Sequence, residues 1–491
     1  MNVISTSGTR FVDDKGRERI FNGVNYVYKG VAADEHGVIH YKNELTDALL
    51  SALAAKGVNI LRLGCTWAGI EPEMGVYNKT YLAEYKDVVK RCAKHGIYVF
   101  LDWHQDLYSA YCFKGGDGAP AWACKYTKKP AGAKFIWAEG YFFNRSVHRC
   151  FDAFWNNEPV AGRGLRDRFC DMLTYTVNYF ADCENVMGYD VFNEPYPGTD
   201  GGRIFRNLVV NGVGTLLLSR NIDRRGLLNN AKKKDVMAML SVADDPTVYH
   251  GVIDNAEKTL TKFDTGVYYD FICAAAAAVR KATDKGVLFM ENSYYSNTGI
   301  PCRTPHATLP NGAKEQNLAF SPHGYDLTVD TPLTNEASPY RVDLIFNEHK
   351  RKQARMGVPV LVGEWGGMVP GGEKYPALEH LIDTFDQNRW SQTYWHLLKD
   401  MPETKIMDIL CRPYPQAVAG VIKRYGYNRK NDVFDLSYTG DSALRAPTLI
   451  YLPKEPKKIF STKAYTLKQE NGAYILQVRA GKGECAVKVE F

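Results

Sequence analysis

Short apolar runs alternate with amphipathic stretches through most of this 491-residue chain. The runs have the length of buried strands, and the stretches between them repeat apolar residues at helical spacing. Strands that alternate with helices indicate parallel βαβ units and therefore an α/β fold. Eight such units favour a (β/α)8 TIM barrel over residues 1–411. The predicted strands are residues 20–26, 59–63, 98–102, 186–193, 287–291, 318–321, 358–363 and 391–395.

The pattern changes after residue 411, where short strands of alternating polarity follow one another between turn residues. This arrangement predicts a small β-sandwich domain over residues 412–491. Within the barrel, residues 108–166 and 196–264 are too long for ordinary connections, and both follow the C-terminal end of a strand. We expect these two insertions to cover the face where barrel enzymes carry out their chemistry. The predicted sandwich strands are residues 432–438, 448–451, 473–479 and 485–491.

Composition and charge narrow the classes of function. Apolar residues make up 45% and charged residues 24% of the chain, as in ordinary soluble globular proteins. The formal net charge of +6 is small and no block of five like charges occurs, so no nucleic-acid partner is expected. The 11 cysteines are scattered without metal-ligand spacing, which argues against a zinc site and against a disulfide framework.

The N-terminus lacks a basic segment followed by an apolar stretch, so no export signal is predicted. No apolar run in the sequence reaches the length of a membrane-spanning helix. The sequence as written therefore predicts a cytoplasmic protein, and a secreted one is the alternative if an export signal has been removed. The sequence does not predict an oligomeric state.

The strongest chemical signal is the tripeptide Asn193-Glu194-Pro195 at the end of the fourth predicted strand. Pro195 has no amide donor, so the strand stops there and leaves Glu194 at its C-terminal end. The seventh predicted strand likewise ends at Glu364, which glycines follow. Two carboxylates on separate strand ends suit the hydrolysis of a glycosidic bond, in which one is the acid/base and the other the nucleophile.

Further titratable and amide side chains gather at the same ends of the predicted strands. A buried structural network would explain part of this pattern, because Arg62 inside a barrel must pair with a carboxylate. Such a network does not readily place two glutamates, two histidines and an amide at one end. The residues that accompany the glutamates are Lys29, Arg62, Asp102, His104, Asp106, Asn193, His323, Tyr325 and Trp395.

These residues resemble glycoside hydrolase family 5, and more narrowly its endoglycoceramidases. The narrower match lies in four segments, of which the last begins the C-terminal domain, so the resemblance covers nearly the whole chain. The segments are LDWHQDLYS at residues 101–109, GDGAPAW at 116–122, FNEPYPG at 192–198 and RPYPQAVAG at 412–420. The broad match lies in Arg62, His104, Asn193-Glu194-Pro195, His323, Tyr325, Glu364 and Trp395.

The resemblance implies that Glu194 is the acid/base and Glu364 the nucleophile. A general acid needs a raised pKa, which the approach of a second carboxylate supplies. Arg62 and the Tyr325 hydroxyl would favour the ionised nucleophile, and Asn193 would donate to the sugar 2-hydroxyl. We set three other acids aside: Glu71 precedes Pro72 in a loop, Asp190 falls mid-strand, where pairing inside the barrel is expected, and Glu291 ends strand five without a partner glutamate.

The remaining predicted contacts with substrate each have a structural alternative. His104 and His323 are expected to orient and bind substrate, or else to be buried structural histidines. Trp395 is expected to be a sugar platform, or else part of the core. Asp102, Asp106 and Lys29 could contact sugar hydroxyls, or equally pair with one another.

The resemblance implies a retaining β-glycosidase that cleaves the bond between glycan and ceramide in glycosphingolipids, without metal or cofactor. A lipid substrate would bring the protein into transient contact with a membrane surface. It also needs an apolar groove, for which the aromatic insertion at residues 135–143 and the loops at 368–376 and 396–407 are candidate walls. The alternative for the aromatic insertion is an ordinary loop core.

Three other functions stay open at the sequence level. A glucosylceramidase or β-glucosidase would remove a single sugar, and an endo-β-glucanase or mannanase would act on polysaccharide. A non-catalytic carbohydrate-binding protein belongs to a different class, and the presence of both glutamates argues against it because binding alone needs neither.

Overall fold

The computed structural model of the protein describes residues 1–29, 45–127, 129–134, 136–220, 222–233 and 235–491. Every predicted strand and every candidate site residue falls within these ranges. Phe135, the first residue of the predicted aromatic wall, lies outside them. None of the helices in these ranges is long and apolar enough to cross a membrane.

Eight parallel strands form the barrel that the sequence predicts. Each strand pairs with its neighbour along the chain, and the eighth pairs with the first, with Thr393 opposite Gly23. Strands six and seven meet through a bridge between Phe320 and Val360 and, beyond it, through the pair His323 and Glu364. The barrel strands are Asn22–Val27, Ile60–Cys65, Tyr98–Trp103, Val186–Asp190, Val287–Met290, Leu318–Phe320 continued by His323–Gly324, Leu361–Val362 continued by Glu364–Trp365, and Ser391–Tyr394.

The barrel strands are buried on both faces because helices cover the outside and side chains fill the inside. All six residues of Ile60–Cys65 are buried, as the continuous apolar run predicts. At the N-terminal end of the barrel, Phe11, Phe100 and Phe289 form a small apolar cluster, with the rings of Phe100 and Phe289 centred 4.7 Å apart. This cluster helps to close the bottom of the barrel, opposite the end at which the candidate site residues gather.

The outer helices form where amphipathic spacing and capping residues coincide. In Lys79–Lys94, the Asn78 side chain accepts a hydrogen bond from the Tyr81 amide and caps the helix start. The helix ends before Gly96, which adopts a positive φ of 71°. The α-helices are Asp47–Ala55, Trp67–Ile70, Lys79–Lys94, Glu139–Phe143, Arg145–Trp155, Leu165–Tyr179, Thr199–Leu218, Arg224–Lys233, Val236–Leu240, Pro246–Thr265, Val267–Ala282, Pro339–Met356, Pro376–Asn388 and Lys405–Leu410. The 3-10 helices are Ala121–Ala123, Ser241–Asp244, Tyr294–Thr298, Thr334–Glu336 and Met401–Glu403.

Both long insertions leave the C-terminal ends of strands. The first follows strand three and carries helices Glu139–Phe143 and Arg145–Trp155 before the regular barrel helix Leu165–Tyr179. The second follows strand four and carries helices Thr199–Leu218 and Pro246–Thr265 ahead of the next barrel helix. The two insertions meet through stacked rings of Phe142 and Phe205, whose centres lie 4.2 Å apart. They therefore stand together over the polar end of the barrel.

The C-terminal strands form two antiparallel sheets around their own apolar core, as predicted for a β-sandwich. The sequence pattern did not indicate that three N-terminal strands, assigned to the barrel range 1–411, would extend one of these sheets. Glu18 pairs with Val418, so the chain starts in the sandwich sheet before it enters the barrel. These N-terminal strands are Ile4–Ser7, Arg10–Asp13 and Glu18–Arg19. The C-terminal strands are Tyr414–Val418, Gly420–Asn428, Val433–Gly440, Thr448–Leu452, Lys458–Ser461, Tyr465–Glu470, Ala473–Val478 and Gly483–Glu490, and a hairpin of Pro159–Val160 with Arg163–Gly164 lies in the first insertion.

A buried ion pair joins the barrel to the sandwich. Arg412 donates through Nε to Asp386 at 2.8 Å, and its second terminal nitrogen also contacts that carboxylate. The same guanidinium donates to Asn22 at the start of the first barrel strand, at 3.1 Å. Arg412 and Asp386 are both buried, so neither charge has water as an alternative partner.

We expect Arg412→Met to lower the free energy of unfolding by about 3–5 kcal/mol, because Asp386 would remain buried without a partner. The double variant Arg412→Met/Asp386→Leu should recover part of that loss, which urea titration would measure. Lys423→Met serves as the control, because Lys423 pairs with Glu484 on the surface. Its replacement should change the free energy of unfolding by less than about 1 kcal/mol. Equal losses in the single and double variants would contradict the role of the pair.

Candidate active site

The two glutamates lie at the C-terminal ends of strands four and seven, on the face that the insertions cover. Glu194 adopts a positive φ of 43°, a conformation that costs energy for a residue with a side chain. Its backbone amide donates to Glu291 Oε2 at 2.7 Å, which holds this turn in place. The turn directs the Glu194 carboxyl into the barrel mouth, toward Glu364.

His323 lies between the two carboxylates. Its Nδ1 is 3.2 Å from Glu194 Oε1 and 3.6 Å from Glu364 Oε2. One oxygen of each glutamate and this nitrogen all lie within 4.8 Å of one another. Retaining glycosidases hold their two carboxyls about 5–5.5 Å apart, whereas inverting enzymes separate them by about 6.5–9.5 Å to admit a water. The spacing here fits the retaining arrangement.

Glu194 is buried and its carboxyl has the properties of a general acid. Burial raises its pKa to about 7; the negative charge of Glu364 also raises it, while the hydrogen bond from His323 acts in the opposite direction. Asn297 Nδ2 donates to Glu194 Oε1 at 2.5 Å and fixes the orientation of the group. A carboxyl with this pKa keeps its proton in a large fraction of molecules near neutral pH.

Glu364 accepts hydrogen bonds on both oxygens. Arg62 Nη1 donates to Oε1 at 2.5 Å and the Tyr325 hydroxyl donates to Oε2 at 2.7 Å. The two donors hold the carboxyl in a fixed orientation, as a nucleophile needs. Burial of the Tyr325 hydroxyl, together with the nearby Glu364 and Glu194, raises its pKa, so this phenol remains a donor.

Arg62 connects Glu364 to three further buried acids. Its nitrogens lie 3.0 Å from Asp102, 3.0 Å from Asp190 and 2.7 Å from Glu291. Burial and the neighbouring Glu291 raise the pKa of Asp190 well above its usual range, against the opposing effect of Arg62. For Glu291, the His323 and Arg62 cations outweigh the effect of burial and lower the pKa. The cluster therefore holds Glu291 ionised and favours a proton on Asp190.

A second group of charges adjoins the Arg62 cluster through Asp102. His104 Nδ1 lies 2.9 Å from Asp102, and its other nitrogen lies 3.5 Å from Asp106. Burial alone would lower the pKa of His104, but the Asp102 and Asp106 carboxylates raise it to about 10. Lys29 contacts Asp106 and lies 5.4 Å above the Trp395 ring, which stacks against His104 at 5.6 Å. Charged donors and a flat aromatic face thus share one wall, as sugar recognition requires.

Asn193 is held between two partners. Arg62 Nη2 donates to its side-chain oxygen at 3.0 Å, and its Nδ2 donates to the Gln105 carbonyl at 3.0 Å. An amide nitrogen carries two hydrogens, so one remains available to a ligand in the cavity. This fits the expected contact with a sugar hydroxyl.

A cavity of about 440 Å³ opens over both glutamates and changes character along its length. The lining beside Glu194 and Glu364 is polar, whereas both insertions contribute apolar and aromatic side chains. The loop after strand six contributes Leu327 and Val329 together with the polar residues Asp326, Asp330 and Thr331. Among the described residues of the predicted walls, the aromatic insertion lines the cavity, and the loops at 368–376 and 396–407 do not. The apolar lining includes Ile136, Trp137, Phe142, Phe205, Leu208, Leu327 and Val329.

The structure separates the predicted substrate contacts into two groups. Six of them line the cavity, namely Lys29, His104, Asp106, Asn193, Tyr325 and Trp395. The other three, Arg62, Asp102 and His323, are buried behind it and contact neighbouring side chains, and their assignment to substrate binding stays a prediction. Each is surrounded by partners: Arg62 and Asp102 pair with each other, and His323 contacts three glutamates.

Two residues near the acid were missed or undervalued at the sequence level. Glu291, set aside as a rival catalytic group, accepts from the Glu194 amide and contacts Arg62 and His323. Its place at the end of strand five was the available signal. Asn297 lies in the 3-10 helix after that strand, in a segment without a strand or motif pattern, and only the folded chain shows its contact with Glu194.

Three trios of described side chains have ligand-type atoms close together: His104, Asp106 and Asp117; Asp190, Glu291 and His323; Glu194, His323 and Glu364. The first already contains the Lys29 ammonium, which contacts Asp106 and lies 3.8 Å from Asp117. In the other two, the surrounding glutamates raise the pKa of His323 against the effect of burial, which favours imidazolium. A metal ion would have to displace these positive charges.

Comparisons with known proteins agree with this geometry. The family model described as Cellulase (glycosyl hydrolase family 5) matches residues 13–400, and the model of the glycoside hydrolase family 5 C-terminal domain matches residues 412–489. The endoglycoceramidase of Cyanea nozakii is 25% identical over 91% of this chain and 83% of that protein. Endoglycoceramidase I of Rhodococcus hoagii (strain 103S) is 24% identical over 92% of this chain and 80% of its own length.

A solved structure has the same architecture. Endo-glycoceramidase II from Rhodococcus sp., in its five-membered iminocyclitol complex, matches with a TM-score of 0.72 at 24% identity and covers 98% of both chains. This likeness confirms the prediction of a barrel with a C-terminal β-sandwich.

We expect the Glu194 carboxyl to titrate near pH 7 and to lose its proton at lower pH in a Glu364→Gln variant. Burial and the like charge of Glu364 both raise this pKa, so removal of the Glu364 charge leaves the effect of burial more strongly opposed by His323. Carbon-13 NMR of side-chain-labelled glutamate would follow the titration, with Glu194→Gln to assign the signal. An unchanged pKa in Glu364→Gln would contradict the coupling between the two carboxyls.

Proposed function

This chain belongs to glycosyl hydrolase family 5, and on that premise we propose that it hydrolyses the bond between glycan and ceramide in glycosphingolipids. The chain is a retaining glycoside hydrolase. The observation that carries the substrate assignment is the cavity, which joins a carboxylate pair in a polar end to an apolar far end. A glycolipid has the same two-part character, and the relatives over nine-tenths of the chain are endoglycoceramidases.

We assign the first chemical step to Glu364 and Glu194. A Glu364 oxygen attacks the anomeric carbon and forms a glycosyl ester, while the bond to the ceramide oxygen breaks. Glu194 transfers its proton to that oxygen, so ceramide leaves as a neutral alcohol. The raised pKa of Glu194 keeps the proton available for this transfer. Arg62 and Tyr325 hold the attacking carboxylate in position.

The second step returns the enzyme to its starting state. Glu194, now ionised, takes a proton from a water molecule, whose oxygen attacks the anomeric carbon from the side that ceramide has left. The ester bond breaks, the glycan departs with its original anomeric configuration, and Glu364 is again a carboxylate. The proton that Glu194 gave to ceramide is thereby replaced.

The two ends of the cavity divide the recognition of substrate. At the polar end, Lys29, Asp106 and His104 present charged donors and acceptors to sugar hydroxyls, and Trp395 presents its ring face. Asn193 donates its free amide hydrogen to the 2-hydroxyl beside the reacting carbon. At the apolar end, side chains of both insertions contact the ceramide chains, which contributes about 25 cal/mol for each Å² removed from water.

We expect Glu194→Ala to lower kcat/KM for a glycolipid by about 10³-fold and for a dinitrophenyl glycoside by less than about tenfold, because a good leaving group needs no proton. Glu364→Ala is the matched comparison and should abolish both activities, since no glycosyl ester can form. Equal losses on the two substrates in Glu194→Ala would remove Glu194 from the acid role.

The same assignment predicts the pH dependence of the unaltered enzyme. With a Glu194 pKa of about 7, kcat/KM for a glycolipid should fall as the pH rises above 7, because the acid then lacks its proton. The same enzyme should lack this alkaline limb with a dinitrophenyl glycoside, because that leaving group needs no proton from Glu194.

The substrate class is tested by the aglycone. We expect Phe205→Ser to lower kcat/KM for lactosylceramide roughly tenfold through lost apolar contact, and to leave a lactoside with a short polar aglycone unchanged. Phe460→Ser on the sandwich, an exposed aromatic far from the cavity, is the control. If the unaltered enzyme hydrolyses both lactosides equally well, the glycolipid assignment is wrong and a general β-glycosidase takes its place.

Product analysis separates the remaining activities. Release of intact lactose from lactosylceramide supports cleavage at the ceramide linkage, whereas hydrolysis of glucosylceramide alone indicates removal of a single sugar. Hydrolysis of cellulose oligomers in preference to all glycolipids would indicate a polysaccharide enzyme.

A further inference from the structure

We propose that the outer face of helix Thr199–Leu218, with the basic residues around it, docks on the surface of anionic lipid bilayers. The inference rests on the proposed function, because it supplies the route by which a membrane lipid reaches the cavity. The docking face consists of Val209, Val210, Val213, Leu216 and Leu217, with Arg206 and Arg220 at its two ends.

The docking face is a continuous apolar stripe in contact with solvent. Residues three, four and seven apart share one side of a helix, a spacing that Val209, Val213 and Leu216 follow, as do Val210, Val213 and Leu217. Val210 and Leu217 are each 62% exposed and Val213 is 53% exposed. Folded chains seldom leave so many neighbouring aliphatic side chains in water unless a partner covers them.

The opposite side of the same helix packs against the rest of the protein. Gly201 and Ile204 are buried, and Asn211 Nδ2 donates to the Val252 carbonyl of helix Pro246–Thr265 at 3.3 Å. The helix is therefore anchored along its inner side while its apolar outer side faces away from the fold. This is the arrangement of a helix that lies flat in a lipid–water interface.

Charge around the docking face is strongly positive. Residues 199–240 contain eight lysines and arginines and three aspartates, so this segment carries +5 of the chain's formal +6. Arg206 and Arg220 are exposed at the ends of the stripe, and Arg224, Arg225 and Lys232 are exposed in the helix that follows. Basic side chains beside an apolar face attract anionic lipid headgroups.

The docking face is continuous with the cavity. Phe205 and Leu208, on the same helix, line the cavity, and Phe205 stacks on Phe142 from the first insertion. Phe143, which is 67% exposed, lies 5.4 Å from the Phe205 ring. The exposed apolar stripe and the apolar cavity wall are therefore carried by one helix.

Self-association is the rival explanation of an exposed apolar stripe. Two copies that met through this face would bring two segments of charge +5 together, and the repulsion opposes such a contact. An anionic bilayer has the complementary charge. The observations therefore favour a lipid surface over a second copy of the chain.

Vesicle flotation tests the docking face without any turnover. We expect the full chain to float with phosphatidylcholine vesicles that contain phosphatidylserine, and much less with phosphatidylcholine alone. Val213→Asp/Leu217→Asp should weaken binding at least about tenfold, because the charges would enter the apolar layer. Val421→Asp, at an exposed valine of the sandwich, is the control and should bind like the unaltered chain.

Two further measurements separate the contribution of the basic residues from that of the apolar stripe. Arg206→Gln/Arg220→Gln should weaken binding to anionic vesicles and reduce its sensitivity to salt, because salt screens exposed charge pairs. Activity on a water-soluble aryl glycoside should be unchanged in all these variants, which confirms that they fold. Hydrolysis of glycolipid in vesicles should fall in parallel with binding.

The outcomes distinguish this proposal from the proposed function. Binding to anionic vesicles that hold no glycolipid supports the docking face even if glycolipid is not hydrolysed. Equal binding by Val213→Asp/Leu217→Asp and the unaltered chain overturns the proposal, as does glycolipid hydrolysis without any vesicle binding. The proposal is also overturned if the unaltered chain does not bind vesicles but forms a dimer in sedimentation analysis, and if Val213→Asp/Leu217→Asp abolishes that dimer. This result would assign the face to self-association.

Discussion

The buried guanidinium of Arg62 is the interaction on which the rest of the site depends. It contacts Asp102, Asp190, Glu291 and Glu364, which lie on or directly after four different strands. A charge inside a barrel is costly without partners, and so is each of these acids. Their mutual contacts offset those costs only when the strands lie in register. Closure of the barrel and assembly of the carboxylate site are therefore coupled.

The contacts of Arg62 also determine which acids are structural and which face the cavity. Glu291 offsets the charges of Arg62 and His323, and Asp190 helps to orient Arg62, which leaves Glu194 and Glu364 to face the cavity. The two facing carboxyls differ because their neighbours differ. Glu194 is buried beside another negative charge, which favours its protonated form, while Glu364 accepts hydrogen bonds from Arg62 and Tyr325 that hold it in position.

The catalytic residues come from the barrel, and the insertions add an apolar wall to the site. The bottom of the barrel is closed by apolar rings, so substrate can approach only from the face that the insertions cover. Phe142 from one insertion and Phe205 from the other stack at the cavity wall, and the helix that carries Phe205 continues outward as an exposed apolar stripe. One helix thus connects the cavity wall to a surface suited to lipid.

The sequence by itself determined the eight barrel strands, the sandwich and both glutamates, because strand periodicity, Pro195 and the apolar runs before each glutamate are local signals. It did not determine that residues 4–19 would join the sandwich, since the pairing of Glu18 with Val418 joins segments about 400 residues apart. Nor did it separate His323, buried behind the cavity, from His104, which lines it. Both outcomes depend on which strands become neighbours and on which charged side chains then pair with one another. Only the tertiary structure decides these contacts.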